Sequence, residues 1–185
     1  MLFRFLLVIL IFVYSLKPVF SELDFKSEIN EINANVVFLR HSIAPGFGDP
    51  KNFKIDDCST QRNLSKTGIL QARSIGKFFI ENNIEFSEIL SSQWCRCKDT
   101  IIEMNIGDWK IFPGLNSFFQ NFSKKQIVLS LLYDKLNNVK NEELILMVTH
   151  QIVISEITKV FPPSGGIVIY NTKNKKANLI RNVTN

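Results

Sequence analysis

Short apolar runs alternate with amphipathic segments along most of the chain. Val36–Leu39 is entirely apolar and half β-branched, which is typical of a buried strand. Glu143–Val148 is a second such run, and Glu88–Ser91 and Lys110–Phe112 are shorter ones. Strands of this kind belong to parallel sheets that are covered on both faces. The pattern therefore predicts a sheet in the interior of the protein.

Segments with helical spacing of apolar residues separate these strands. Ser65 is a suitable N-cap for a helix from Lys66 to about Glu81, in which Ala72, Ile75 and Phe79 share one face. Residues 22–35 are loosely helical. Three more helices are predicted: one after Arg96 through Ile101, Ile102 and Met104, one over Lys124–Leu136, and one from Ile152 to about Val160.

The order of these elements predicts the fold class. Strands that alternate with helices indicate an α/β fold, here a three-layer α/β/α sandwich with a mostly parallel central sheet. Gly166–Tyr170 and Ala177–Ile180 are predicted to close the sheet as a hairpin. Ser42–Asn63 is a long loop, and loops of this length in compact domains often carry function.

The first 21 residues differ from the rest and have the form of a secretory signal peptide. Arg4 precedes the apolar run Phe5–Leu16, and Val19 and Ser21 are small enough for a cleavage site before Glu22. The run is shorter than the roughly 20 residues that cross a bilayer. We expect cleavage, export to the periplasm or the extracellular space, no stable membrane insertion afterwards, and one domain over residues 22–185. A retained membrane anchor is the alternative.

Charge and cysteine spacing narrow the classes of partner. The net charge is +5, and cleavage would remove two cations and no acid. The remaining cations are scattered, whereas nucleic-acid binding uses a dense basic stripe. We therefore expect no nucleic-acid partner. Cys58, Cys95 and Cys97 do not have zinc-site spacing, and we expect no metal and no cofactor.

The candidate chemistry lies where three predicted strands end. Arg40 and His41 follow the first strand, Arg96 follows the second, and His150 follows the strand that ends near Val148. The carboxyl ends of parallel strands meet at one edge of a sheet, where α/β proteins bind ligands. Two guanidinium groups beside helix N-termini favour an anion, and phosphate matches the fork of an arginine.

These motifs resemble those of the histidine phosphatase superfamily, which has the phosphoglycerate-mutase-like fold. The resemblance rests on Arg40–His41, on Arg96 within Ser91–Thr100, and on Val148–His150. Asp57–Ser65 and 116–119 are similar to a secreted bacterial branch. The resemblance implies a phosphohistidine intermediate on His41, with Arg40, Arg96 and His150 holding the phosphoryl oxygens.

One catalytic group of that family has no obvious counterpart. Its members usually supply a carboxylic acid that protonates the leaving oxygen, and Asn116 stands where a glutamate is expected. Asp57 in the long loop is the best remaining candidate, and a local turn contact is an equally good interpretation of this residue. Without a good acid, we expect either slow turnover or a preference for substrates with acidic leaving groups.

The sequence thus predicts an exported, metal-independent phosphomonoesterase that acts on a small phosphorylated substrate through His41. A non-catalytic module that binds a phospho-ligand in the same pocket is the alternative. Cys58 and Cys95 would both lie at the catalytic edge of the sheet, so we expect a disulfide between them and a free Cys97. Three unpaired thiols are the other possibility.

Overall fold

The computed structural model describes residues 22–180, and the predicted signal peptide lies outside them. The five helices of this part are α1 (Glu22–Ile32), α2 (Lys66–Glu81), α3 (Cys95–Met104), α4 (Lys125–Asn137) and α5 (Gln151–Thr158). The strands are β1 (Val36–Arg40), β2 (Glu88–Ser91), β3 (Lys110–Ile111), β4 (Ile145–Thr149), β5 (Ile167–Tyr170) and β6 (Ala177–Ile180). Short 3-10 helices occupy Cys58–Thr60, Pro113–Leu115 and Phe119–Asn121. No helix within residues 22–180 is long and apolar enough to cross a membrane.

The six strands form one sheet in the order β3-β2-β4-β1-β5-β6. The first four strands in this order run parallel, and β5 and β6 are the antiparallel hairpin that the sequence predicts. Arg40 of β1 pairs with Thr149 of β4, and Ser91 of β2 pairs with Val148. This register brings the three polar strand ends to the same level at one edge of the sheet.

Helices cover both faces of the sheet, which confirms the predicted α/β sandwich. On one face, α1, α2 and α3 pack on alternate strand residues such as Val37, Leu39 and Leu146. On the other face, α4 and α5 pack on Phe38 and its neighbours in the strands. Alternate side chains of a strand point to opposite faces, so each apolar strand contributes to both cores. The sheet is thereby buried throughout its centre.

Helix α1 is more firmly packed than its polar sequence indicates. Phe25 has no exposed surface and contacts the rings of Phe78 and Phe79 on α2, with centroid distances of 5.4 and 5.9 Å. Phe25, Ile29 and Ile32 together pack the helix on the core, although the hydrophobic pattern of residues 22–35 is weak.

Helix α2 begins as its sequence predicts and lies very close to two neighbours. The Ser65 hydroxyl accepts a hydrogen bond of 3.0 Å from the amide of Gly68, which caps the helix. A Cβ atom on Gly68 would lie 2.0 Å from the carbonyl oxygen of Ile43, and one on Gly76 would lie 2.0 Å from that of Met104. Glycine thus allows α2 to contact both the loop after β1 and the end of α3.

Candidate active site

The polar ends of β1, β2 and β4 converge on a cavity of about 200 Å³, called here the anion pocket. Arg40, His41, Arg96 and His150 all line it, so the structure brings together the four residues that the sequence singles out. The other lining residues are Gly46, Phe47, Gly48, Arg62, Ser117, Phe119, Gln151 and Ile152. The pocket is strongly cationic, because three arginines face it.

His41 is buried and held in one orientation. Its Nδ1 lies 2.8 Å from the carbonyl oxygen of Ser42, and its backbone amide donates to the carbonyl of Thr149 at 2.9 Å. A carbonyl can only accept, so Nδ1 carries the proton and Nε2 keeps its lone pair. Burial, and then the charge of Arg96, hold the pKa of His41 well below its ordinary value. The ring is therefore a neutral nucleophile at physiological pH.

His150 carries its proton on the other nitrogen. Its Nδ1 lies 3.4 Å from Nη2 of Arg96, which can only donate, and its Nε2 lies 3.0 Å from the hydroxyl of Ser92. That hydroxyl donates in turn to Oδ1 of Asn116 at 3.2 Å. Burial and the charge of Arg96 also lower the pKa of His150 well below the ordinary range. The two rings lie 5.4 Å apart between centroids.

Two buried guanidinium nitrogens of the site have no hydrogen-bond partner within the described residues. They are Nε of Arg40 and Nε of Arg96, and Arg96 as a whole is only 3% exposed. A buried donor without a partner is costly. Both donors belong to residues that line the cationic pocket, so a bound anion is the natural group to accept from them.

Asp49 is a residue of the site that the sequence analysis missed. Its carboxylate accepts hydrogen bonds from both terminal nitrogens of Arg96, at 2.8 and 3.1 Å, and from the indole nitrogen of Trp94 at 3.0 Å. Burial raises the pKa of Asp49, but the hydrogen bonds and charge of Arg96 outweigh this effect and the pKa is lowered. The forked contact expected between Arg96 and phosphate is thus made to Asp49, which leaves Nε of Arg96 for a ligand.

Arg62 is a further cation of the pocket that the sequence analysis did not select. It follows the 3-10 helix of the long loop, and its guanidinium donates to the backbone carbonyls of Gly48, at 2.9 Å, and Ala44. These contacts hold the loop over the pocket. A lone arginine in an irregular loop has no periodic signal, and only its place within the Asp57–Ser65 motif could have indicated it.

The structure does not place Asp57 in the anion pocket. Its carboxylate accepts from the amide of Ser59 at 3.0 Å and from the hydroxyl at 2.6 Å, which caps the short helix Cys58–Thr60. These hydrogen bonds lower the pKa of Asp57, and the carboxyl is exposed. The local turn contact is therefore what the geometry supports, and a role as general acid stays a prediction that this geometry does not favour.

Thr100, four residues after Arg96 in the sequence motif, links two parts of the site. It lies one helical turn further along α3, and its hydroxyl donates to the carbonyl of Arg96 at 2.6 Å. The same oxygen accepts from the amide of Ser42 at 3.0 Å. One buried hydroxyl thus connects the segment that carries His41 to the helix that carries Arg96.

Cys58 and Cys95 form a disulfide, and Cys97 is free and buried. The predicted pairing is therefore present in the structure. It joins the long loop to the residue before Arg96, and the amide of Cys95 also donates to the side chain of Gln61 at 3.0 Å. Burial raises the pKa of the Cys97 thiol to about 12, so this cysteine is not a candidate nucleophile.

Comparison with known proteins supports the fold and goes no further. No protein-family model and no curated protein matches the sequence. A structure of the protein histidine phosphatase SixA with tungstate is 17% identical with a TM-score of 0.53, over 78% of this chain and 93% of that one. A protein from Escherichia coli K-12 to which alpha-ribazole-5'-P phosphatase activity is attributed is 16% identical, with a TM-score of 0.56 over 78% and 93%.

A third similar structure is TTHB049 from Thermus thermophilus, which is 13% identical with a TM-score of 0.54, over 77% of this chain and 96% of that one. All three structures are matched over nearly their whole length, and the matched part makes up 77–78% of this chain. This agrees with the resemblance seen in the motifs around Arg40, Arg96 and His150. The chain has the histidine phosphatase fold.

Proposed function

We propose that this protein is an exported phosphatase that hydrolyses phosphate monoesters through a phosphohistidine on His41. The observation that carries the proposal is the unprotonated Nε2 of a buried, neutral His41 in a pocket lined by three arginines. A neutral imidazole is a competent nucleophile, and phosphoryl transfer needs mainly positioning and charge neutralisation.

In the first step, Nε2 of His41 attacks phosphorus and the bond from phosphorus to the leaving oxygen breaks. The electron pair of that bond stays with the leaving oxygen. Nε of Arg40 and Nε of Arg96, both without a partner among the described residues, are placed to donate to the phosphoryl oxygens. His150 can take up a proton on Nδ1 when the negative phosphoryl group arrives, and then donates from that atom as well.

In the second step, water attacks the phosphohistidine and the bond from nitrogen to phosphorus breaks. Its electron pair returns to Nε2, one proton of the water is released, and inorganic phosphate leaves. The hydrogen bond from Nδ1 to Ser42 holds the ring in the same tautomer throughout the cycle. No step of this sequence requires a metal ion.

The leaving oxygen receives no proton from a carboxylic acid in this scheme. No aspartate or glutamate lines the pocket within the described residues, and the buried carboxylate of Asp49 is ionised and paired with Arg96. We therefore expect the enzyme to favour leaving groups that are stable as anions. The same scheme leaves a non-catalytic phosphate-binding module as the competing hypothesis.

Hydrolysis of p-nitrophenyl phosphate in the presence of EDTA tests the proposal. We expect turnover by the wild type, and a loss on the order of 10³-fold or more in His41→Ala, as for other nucleophile deletions. Tyr133→Ala, an exposed change on α4, is the control and should leave the rate unchanged. Equal turnover by the wild type and His41→Ala would exclude His41 as the nucleophile. Binding of phosphate without any turnover would favour the non-catalytic module.

Export is the second part of the proposal. It rests on the form of residues 1–21, and the disulfide between Cys58 and Cys95 supports it because disulfides persist in oxidising compartments. Mass spectrometry of the mature protein should find an N-terminus near Glu22. An intact N-terminus in the membrane fraction would instead support a retained anchor.

A further inference from the structure

Two phenylalanine rings stand at the mouth of the anion pocket. Phe47 is 89% exposed and Phe119 is 37% exposed, and both line the cavity together with the arginines and histidines. Their centroids lie 5.0 Å apart with an interplanar angle of 82°, an edge-to-face pair. Covering these exposed rings with an apolar group is favourable, because it removes apolar surface from water.

The two loops that carry the aromatic pair are joined beside it. Phe47 lies between Gly46 and Gly48, whose φ angles of +95° and +68° are easily adopted only by glycine. The side chain of Gln120, the residue after Phe119, accepts from the amide of Asp49 at 2.7 Å and donates to its carbonyl at 3.4 Å. Two loops that are distant in sequence are thus tied together directly beside the two rings.

The same segment is also connected to the floor of the pocket. Gln120 is hydrogen-bonded to the backbone of Asp49, and the side chain of Asp49 binds the guanidinium of Arg96. The aromatic pair and the cationic floor therefore belong to one continuous arrangement. The cationic floor accepts the phosphoryl group, so the group that is attached to the phosphate extends toward the mouth and meets the rings.

We infer that Phe47 and Phe119 bind the leaving group, and that the substrates are phosphate monoesters of flat, aromatic alcohols. This inference rests on the proposed function and names its substrate class. An aromatic group packs on the exposed rings over its whole plane, whereas a small alkyl group covers much less of them.

The chemistry of the pocket points to the same class of substrate. A phenol ionises near pH 10, whereas water and simple alcohols ionise only near about 15.7. When the ester bond breaks, the electron pair stays on the phenolate oxygen, which then takes a proton from water. A phenolate thus leaves without a carboxylic acid, which agrees with a pocket in which no described carboxylate is free to donate.

Calorimetric titration with phenylphosphonate and methylphosphonate tests the inference without any turnover. These ligands share the phosphonate group and differ in the ring, and neither can be hydrolysed. We expect the wild type to bind phenylphosphonate about tenfold more tightly. Phe47→Ala and Phe119→Ala should each lose roughly three- to tenfold of that preference, the effect of one aromatic contact, and bind methylphosphonate as the wild type does.

Tyr133→Ala serves as the control and should keep the full preference. Equal binding of the two ligands by the wild type, or a preference that survives in both phenylalanine variants, would overturn the inference. Because this readout is binding, it is independent of the turnover assay for His41. A protein that prefers phenylphosphonate but hydrolyses nothing would keep the aromatic subsite and lose the proposed catalytic function.

Discussion

At the level of single residues, the two imidazoles of the anion pocket differ in the nitrogen that carries the proton. His41 is protonated on Nδ1 because Ser42 offers it a carbonyl, and His150 is protonated on Nε2 because Arg96 faces its Nδ1. Both rings stay neutral because they are buried beside arginines. The proposed nucleophile, His41, and the proposed phosphoryl ligand, His150, thus differ in their tautomers.

Nitrogen NMR of the imidazoles can check this assignment, because the chain contains only two histidines. We expect opposite neutral tautomers for the two rings, and both should titrate below the ordinary pKa of 6.5. Inorganic phosphate should move both titrations to higher pH, since a nearby anion favours the charged ring. A ring that titrates at or above 6.5 without phosphate would contradict the assignment.

Arg96→Lys tests whether the guanidinium is needed for more than its charge. A lysine has no Nε donor for the phosphoryl group and cannot reach both oxygens of Asp49 as the fork does. We expect kcat to fall about 100-fold or more, as for other lost transition-state donors. Arg73→Lys, an exposed change in a surface ion pair with Glu103, should leave kcat unchanged. A loss below about threefold would place Arg96 outside the reacting centre.

The comparison of Asp49 with Asp57 shows why the site was only partly predictable. Arg40, His41, Arg96 and His150 each follow an apolar strand, so their common location followed from the geometry of parallel strands. The two aspartates lie in one irregular loop without any periodic pattern. Contacts with Trp94 and Arg96, distant in sequence, decide that Asp49 is buried and Asp57 is not.

At the level of elements, α2 was predictable because its signals are local. Ser65 caps the helix and the apolar spacing after Lys66 covers its whole length. Strand β4 is similar, although it ends one residue later than its apolar run, at Thr149. The packing of α1 was not predictable, because it depends on contacts with residues distant in sequence, such as those of Phe25 with Phe78 and Phe79.

The close contact between α2 and α3 gives a prediction for Gly76→Ala. In an exposed helix this change stabilises by about 1 kcal/mol. Here the new Cβ would lie 2.0 Å from the carbonyl oxygen of Met104, so the helices must separate. We expect the free energy of unfolding to fall by about 1–3 kcal/mol, the usual cost of overpacking.

Urea denaturation measures this change, and Ser74→Ala on the exposed face of the same helix is the matched control. The control should be neutral or slightly stabilising. A stabilised Gly76→Ala would mean that α2 and α3 are further apart than described.

At the level of the whole molecule, the disulfide determines where the long loop lies. It links Cys58 to Cys95 across 37 residues, and the enclosed chain includes Arg62 and all of α2. Closing a loop of this length stabilises a protein by about 3–4 kcal/mol in the chain-entropy model. The bridge adds to the ion pair between Asp49 and Arg96 and the amide contact of Gln61.

The double variant Cys58→Ser/Cys95→Ser should therefore lose about 3–4 kcal/mol of unfolding free energy. It should also bind phosphate more weakly, because Arg62 and Asp49 lie on the released loop. Dithiothreitol should lower the stability of the wild type to a similar extent and leave the double variant unchanged. Three thiols that react with an alkylating agent before any reduction would show that the bridge is not formed.

The buried histidines also make the stability of the whole protein depend on pH. In the unfolded chain each imidazole takes up a proton near pH 6.5, whereas folded His41 and His150 stay neutral to a lower pH. Below 6.5 the unfolded state therefore binds more protons, and the free energy of unfolding must fall as the pH decreases. For each unit by which folding lowers the pKa of one histidine, the free energy of unfolding falls by about 1.4 kcal/mol. This full loss is reached once the pH is below both the folded and the unfolded pKa of that histidine.

We expect urea denaturation to show this loss between pH 7.5 and 5.5, and added phosphate to reduce it, since the anion favours the charged rings. His41→Asn should show a smaller loss, because asparagine can still donate to Ser42 but does not titrate in this range. An equal loss in the variant and the wild type would mean that the pKa of His41 is the same in the folded and the unfolded state. The same burial that keeps the proposed nucleophile neutral would thus limit the stability of the protein in acid.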